Sequence, residues 1–144
     1  MAREISTKVM EEMVSLGIDP LNVNNANWDA ISNYQNLSED FIREFQNKID
    51  WNNIFYYQVL SEDFIREFQD KVNWDYISIH QALSEDFIRE FMFDVNWENI
   101  EKRFPNIKKT IEEDILRKNT EIKQMKNDLK EYESMDILDR MEIL

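Results

Sequence analysis

Few side chains in this sequence are of the kinds that do chemistry, and their setting limits them further. His80 is the single histidine, and it stands where Tyr34 and Tyr57 stand in neighbouring copies of a repeat. A general base needs a partner that orients its ring and a proton to take, and nothing near His80 in the sequence supplies either. Ser38, Ser61 and Ser84 recur in identical contexts, each followed by Glu-Asp, which is the pattern of a helix N-cap with acids in the first turn rather than of a nucleophile. No cysteine is present, so thiolate zinc sites, disulfides and cysteine nucleophiles are excluded together. No glycine-rich stretch is available to cradle phosphate, and no calcium-loop pattern of spaced acids around a glycine occurs. The sequence predicts no catalytic, cofactor-binding or metal-binding residue, and a chain that is not an enzyme.

The elements that carry these residues are set by a period. Trp28, Trp51, Trp74 and Trp97 are evenly spaced, about 23 residues apart, and LSEDFIREF occurs three times at the same step, from Leu37, Leu60 and Leu83. A fixed period of this length marks a stacked repeat array. With one glycine and two prolines in 144 residues, the turn chemistry of a sheet protein is missing and an all-α fold is expected.

Within one period the letters predict two short helices. In SEDFIREFQNKI, Ser38 caps, Glu39 and Asp40 fill the first turn, and Leu37 and Ile42 take the spacing of a hydrophobic staple. Phe41, Ile42, Phe45 and Ile49 share a face, and Glu39 precedes Arg43 by four residues in the favourable order. The second helix begins after Asp50, Asn73 or Asn96, with Trp and Ile one turn apart. Gln35, Gln58 and Gln81 close it and are expected to bridge to the next helix. One such pair cannot bury enough apolar surface alone, so the pairs must stack into a short α-solenoid.

The pattern of Trp, Ile and Gln ahead of LSEDFIREF resembles the short tandem repeats of uncharacterised proteins from phages and large DNA viruses, over about residues 28–103. That resemblance implies a virus- or phage-encoded protein that works by interaction, and it carries no catalytic residues.

Three regions follow: an N-terminal capping helix and loop over 1–27, tandem repeats over 28–104, and a long C-terminal helix over 105–144. The capping helix spans 5–16 and ends at Gly17, and a polar loop leads to Trp28. In the last repeat Met92-Phe93 replaces Gln-Asn and Gln-Asp, which predicts a cover over these apolar side chains, with the tail as the cover. The tail runs without a breaker from Asn106 to Leu138. Its Ile111, Ile115, Ile122, Met125, Leu129 and Tyr132 follow a heptad step that Lys118 interrupts. This stripe predicts either a homodimeric coiled coil or a helix folded back on the array.

Charge narrows the partners. The net charge is −13, and residues 37–100, with 14 acidic and 5 basic side chains, carry −9 of it. Such a surface repels phosphate backbones, so no direct nucleic-acid binding is expected. No apolar run reaches the ~20 residues that span a bilayer, and MAREISTKVMEEM has charges where a signal peptide has an apolar run. A soluble protein of the host-cell cytoplasm is the expectation.

Two surfaces can recognise a partner. Helix one is frozen while the second helix varies, at Ala30/Asn53/Tyr76, Ser32/Phe55/Ser78, Asn33/Tyr56/Ile79 and Tyr34/Tyr57/His80. Constant scaffold beside changing positions is how repeat proteins display binding surfaces, and Phe55, Tyr56, Tyr57, Tyr76, Ile79 and His80 are the expected contacts with a host protein, which the resemblance to viral repeats implies is one of antiviral defence. The alternative is a nucleic-acid mimic, in which Glu39, Asp40, Glu44, Glu62, Asp63, Glu67, Glu85, Asp86 and Glu90 present a row of charges to a nucleic-acid-binding protein. In a third reading the tail assembles a structural homo-oligomer.

Overall fold

Residues 4–33 and 36–143 are described by the structure, a computed structural model; Tyr34 and Gln35 fall outside them. Ten α-helices and no strand are found among the described residues. The chain divides into two compact units, Met1–Arg103 and Phe104–Leu144, so the capping helix belongs to the same unit as the repeats.

In the first unit α1 (Thr7–Ser15) is capped by Ser6, whose hydroxyl accepts from the Val9 N–H. It ends where Gly17 takes φ 72°, with Gly17 N–H donating to the Val14 carbonyl (3.0 Å) and Ile18 N–H to that of Met13 (2.9 Å). Only glycine adopts that φ without strain, and the paired bonds close the helix end while Met13 and Ile18 are buried. The connection to the first tryptophan holds a short 3-10 turn, Val23–Asn25.

The repeats then alternate. First helices α3 (Glu39–Glu44), α5 (Glu62–Glu67) and α7 (Glu85–Glu90) alternate with second helices α2 (Trp28–Ser32), α4 (Trp51–Tyr57), α6 (Trp74–His80) and α8 (Trp97–Arg103). α1 packs on α3, and the second helices pack in succession, α2 on α4 on α6 on α8. This is the expected α-solenoid of helix pairs.

The first helices are shorter than SEDFIREFQNKI predicts. Each stops after six residues, and a turn carries the chain to the next cap. The local reason is competition for carbonyls. The Gln46 amide donates to the Arg43 carbonyl (3.1 Å), and the Trp51 indole N–H takes the Gln46 carbonyl (3.1 Å). The Trp97 indole takes Met92 in the same way (2.8 Å), and that of Trp28 takes Val23 (3.0 Å), so the 3-10 turn stands in for the end of a missing first helix.

The core is an aromatic relay. Trp28 packs on Phe41 and Phe45 at ring separations of 6.3 and 5.0 Å, Trp51 on Phe64 and Phe68 at 6.4 and 4.9 Å, and Trp74 on Phe87 and Phe91 at 6.4 and 4.9 Å. Each of these three tryptophans thus meets phenylalanines of the first-helix segment that follows it, at a geometry repeated to within a tenth of an ångström. Fully buried isoleucines (Ile42, Ile54, Ile65, Ile77, Ile88, Ile100) fill the rest.

Polar letters join the repeats as strictly as apolar ones. Arg43 reaches Glu67 of the next copy (Nε to Oε2 2.8 Å) and lies over the Phe64 ring at 5.1 Å; Arg66 does the same to Glu90 and over Phe87 at 5.1 Å. Burial works against the charged form of Arg43, but Glu67 with Asp40 and Glu39 outweighs it and holds its pKa above the ordinary arginine value. Glu90 raises Arg66 likewise. In the other direction the Ser61 N–H donates to Glu39 (2.6 Å) and the Ser84 N–H to Glu62 (2.5 Å). Glu12 of α1 supplies the same carboxylate to Ser38 N–H (2.8 Å), which is how the capping helix imitates a repeat.

The glutamines bridge, but backward rather than to the next helix as expected: each meets the chain just ahead of the first helix that precedes it. Buried Gln58 accepts from Leu37 N–H (2.9 Å), and buried Gln81 from Leu60 N–H (3.0 Å). Gln81 also donates to the carbonyls of Phe55 (3.0 Å) and Gln58 (2.7 Å). One repeat later Arg103 takes the corresponding carbonyls, Ser78 (2.7 Å) and Gln81 (2.5 Å). Burial draws its pKa below the usual arginine value. The expected Gln35 bridge lies outside the described residues.

In the second unit α9 (Ile107–Ser134) spans 28 residues, about 42 Å. It does not run on to Leu138. Met135 is extended, and α10 (Ile137–Ile143) follows. Asp136 accepts from the Ile137 N–H (2.6 Å), and Arg140 donates to the carbonyls of Met135 (3.1 Å) and Glu133, with its guanidinium over Tyr132. Local bonds from Asp136 and Arg140 to the backbone offer the chain an alternative to the helix ladder here, which the heptad pattern does not register.

Candidate partner-binding surface

Because the second helices stack side by side, equal positions along them form rows. Positions facing the interior are filled by Trp, Ile and the Ser32/Phe55/Ser78 set. Phe55 is 0% exposed and stacks on Trp51 at 5.5 Å, so it belongs to the core and not to a recognition surface. Ser32 and Ser78 are buried at the same place, where their hydroxyls accept from the N–H of Asp50 and Asn96 (2.9 Å each). Variation at this position trades one backbone-to-serine bond for an aromatic filler, so change between copies here reflects the core and not display, contrary to the expectation for Phe55.

The outward rows are open to solvent to differing degrees. Tyr56, Tyr57 and Ile79 are 46%, 42% and 44% exposed, His80 is exposed and Tyr76 is half-buried. The rings form one cluster. Tyr56 lies 4.6 Å from Tyr57 at 65°, 5.8 Å from Tyr76 at 87°, and 4.3 Å from His80; Tyr76 and His80 are 6.3 Å apart. Edge-to-face pairs of this kind hold one another in place. Tyr56, Tyr57 and Tyr76 line a 210 Å³ cavity with Asn52 and Asn53, and Tyr57 and Val59 line a second of 300 Å³ with Asn36, Leu37 and Gln58. Val59 is a surface residue that periodic reasoning passed over. The signal was its place, immediately before the frozen Leu60, where the copies read Asn36, Val59 and Ala82.

No protein-family model, curated protein or solved structure matches this chain. The reading of its surfaces therefore stands on their geometry.

The acidic set is more engaged than a row of free charges. Glu39 and Glu62 accept from the next repeat's serine, Glu67 and Glu90 receive its predecessor's arginine, and Asp40 and Asp63 bind Arg43 and Arg66 of their own helices (3.0 and 2.9 Å). Glu85 pairs with Arg89 (2.5 Å). Asp86 is exposed, and Glu44 is half-buried.

Of the tail stripe, Ile111 is buried, while Ile115, Ile122, Met125, Leu129 and Tyr132 are exposed. Of the two residues for which a cover was expected, Phe93 is 93% exposed and Met92 is half-buried. No helix among the described residues is long and apolar enough to cross a membrane.

Proposed function

We propose that this chain is a non-enzymatic protein-binding repeat protein whose partner docks on the second-helix face around Tyr56, Tyr57, Tyr76, Ile79 and His80. The observation that carries the reading is the exposed, mutually braced ring cluster on a frame whose remaining letters are committed to holding the repeats together. Tyrosine clusters of this kind supply large contact area with little entropy left to lose. The resemblance of the repeat extends the proposal to a virus- or phage-encoded protein that occupies a host defence protein in the cytoplasm.

The mimic reading draws less support, because most of its acids are already paired within the array. Self-association has one observation in its favour, the exposed apolar stripe of α9 from Ile115 to Tyr132.

The test is affinity capture from host lysate with the wild type, Tyr56→Ala/Ile79→Ala, and Asp40→Asn/Asp63→Asn/Asp86→Asn side by side. A partner held by the wild type and the Asn variant but lost on the Ala variant, with unfolding midpoints unchanged, supports the proposal. A partner lost only on the Asn variant turns the assignment to mimicry. Recovery of this chain alone moves it to self-association.

A further inference from the structure

We infer that the tyrosine-lined cavity over α4 and α6 receives an arginine side chain of the partner. This rests on the binding reading above and names the chemistry at its centre. Tyr56, Tyr57 and Tyr76 line one 210 Å³ space, and Tyr56 is braced by Tyr57, Tyr76 and His80, so the walls are set before a ligand arrives. Ring faces carry negative potential and attract cations.

The surroundings have the same sign. Residues 37–100 carry a net −9, Asp50 caps α4 by accepting from the Asn53 N–H (3.1 Å), and Asp75 is exposed beside Tyr76. Yet no carboxylate lines the cavity itself. An ammonium group would surrender strong hydration there with no ion pair in return. A guanidinium is weakly hydrated, stacks on aromatic faces and offers planar N–H donors. The polar groups of the lining residues are the side-chain amides of Asn53 and of Asn52, whose carbonyl also accepts from the Asn73 amide (3.5 Å), and the tyrosine hydroxyls.

The experiment is an NMR titration of the full chain with N-acetyl-arginine amide, its neutral isostere N-acetyl-citrulline amide, and N-acetyl-lysine amide, in about 0.15 M salt, where long-range attraction is screened. Arginine should give saturable shifts on the Tyr56, Tyr57 and Tyr76 rings, with lysine and citrulline weaker by about fivefold or more. Tyr57→Leu, at an exposed position, should reduce arginine affinity by a similar factor and leave the fold intact, and Tyr76→Leu should agree with it. Equal shifts from arginine and citrulline, shifts spread over the acidic surface that fade with salt, or indifference to both leucine variants would overturn the inference. If arginine fails while Tyr56→Ala/Ile79→Ala still releases the partner, the docking face stands and only its arginine pocket falls.

Discussion

Replacing Gln81 by leucine tests whether the polar bridge, rather than apolar burial, locks one repeat to its neighbour. The side chain is 1% exposed and makes three bonds across the junction: it accepts from Leu60 N–H and donates to the carbonyls of Phe55 and Gln58. Leucine fills similar space but leaves one amide and two carbonyls without that partner. An orphaned buried polar group costs about 1–3 kcal/mol. Three would approach ~9 kcal/mol at the upper end. Water at the junction and the added apolar surface of leucine pull toward the lower end, so the expected loss is about 3 kcal/mol. Urea unfolding followed by circular dichroism measures it. In a stacked array the damage should also be local: the transition broadens and its slope falls as the array splits at one junction. Hydrogen exchange should show the Leu60 amide losing protection while amides in α8 keep theirs. A loss below about 1 kcal/mol with Leu60 still protected would refute the reasoning and return the junction to the Trp–Phe relay alone.

Phe55→Ala should destabilise the fold by about 3–5 kcal/mol, whereas Tyr56→Ala, its exposed neighbour, should stay within roughly 0.5 kcal/mol; paired denaturation curves check the contrast. Glu98 is held below its ordinary pKa by the hydrogen bond and charge of Lys102, so its contribution is present above the ordinary carboxylate value of 4.5 and lost as pH falls through the depressed folded value. Carboxyl carbon titration should place the Glu98 midpoint below 4.5, and Lys102→Met should return it.

The frame was legible because its devices are local. Serine before Glu-Asp, leucine one position outside the cap, and tryptophan after Asp or Asn each declare a helix start, and the period declares the stacking. That the glutamines bridge could be read from their position, but not that they reach backward along the chain. What the sequence concealed lies across repeats. Nothing in LSEDFIREF says that Arg43, with Glu39 still 3.8 Å away, also reaches a carboxylate 24 residues on, since the four-residue pair reads as complete. Variation at Phe55 looks like display until burial shows that serine and phenylalanine solve the same interior position in two ways. The early end of α3 and the break at Met135 escaped because both turn on side chains competing for a few carbonyls, which periodicity does not register.

The array's junctions also bear on how such a gene can change. A copy of LSEDFIREF offers an arginine and a glutamate forward and presents a glutamate and a serine N–H backward to receive them, so the frozen letters of one copy fit before or after those of another. An in-frame exchange that adds or deletes one period leaves every remaining junction with its full complement, provided the Glu12 end and the Arg103 end are kept. Growth then costs no redesign of the frame, and each added copy brings one more second helix whose outward letters are free to drift. Length is the heritable variable here, and recombination can set it in a single step.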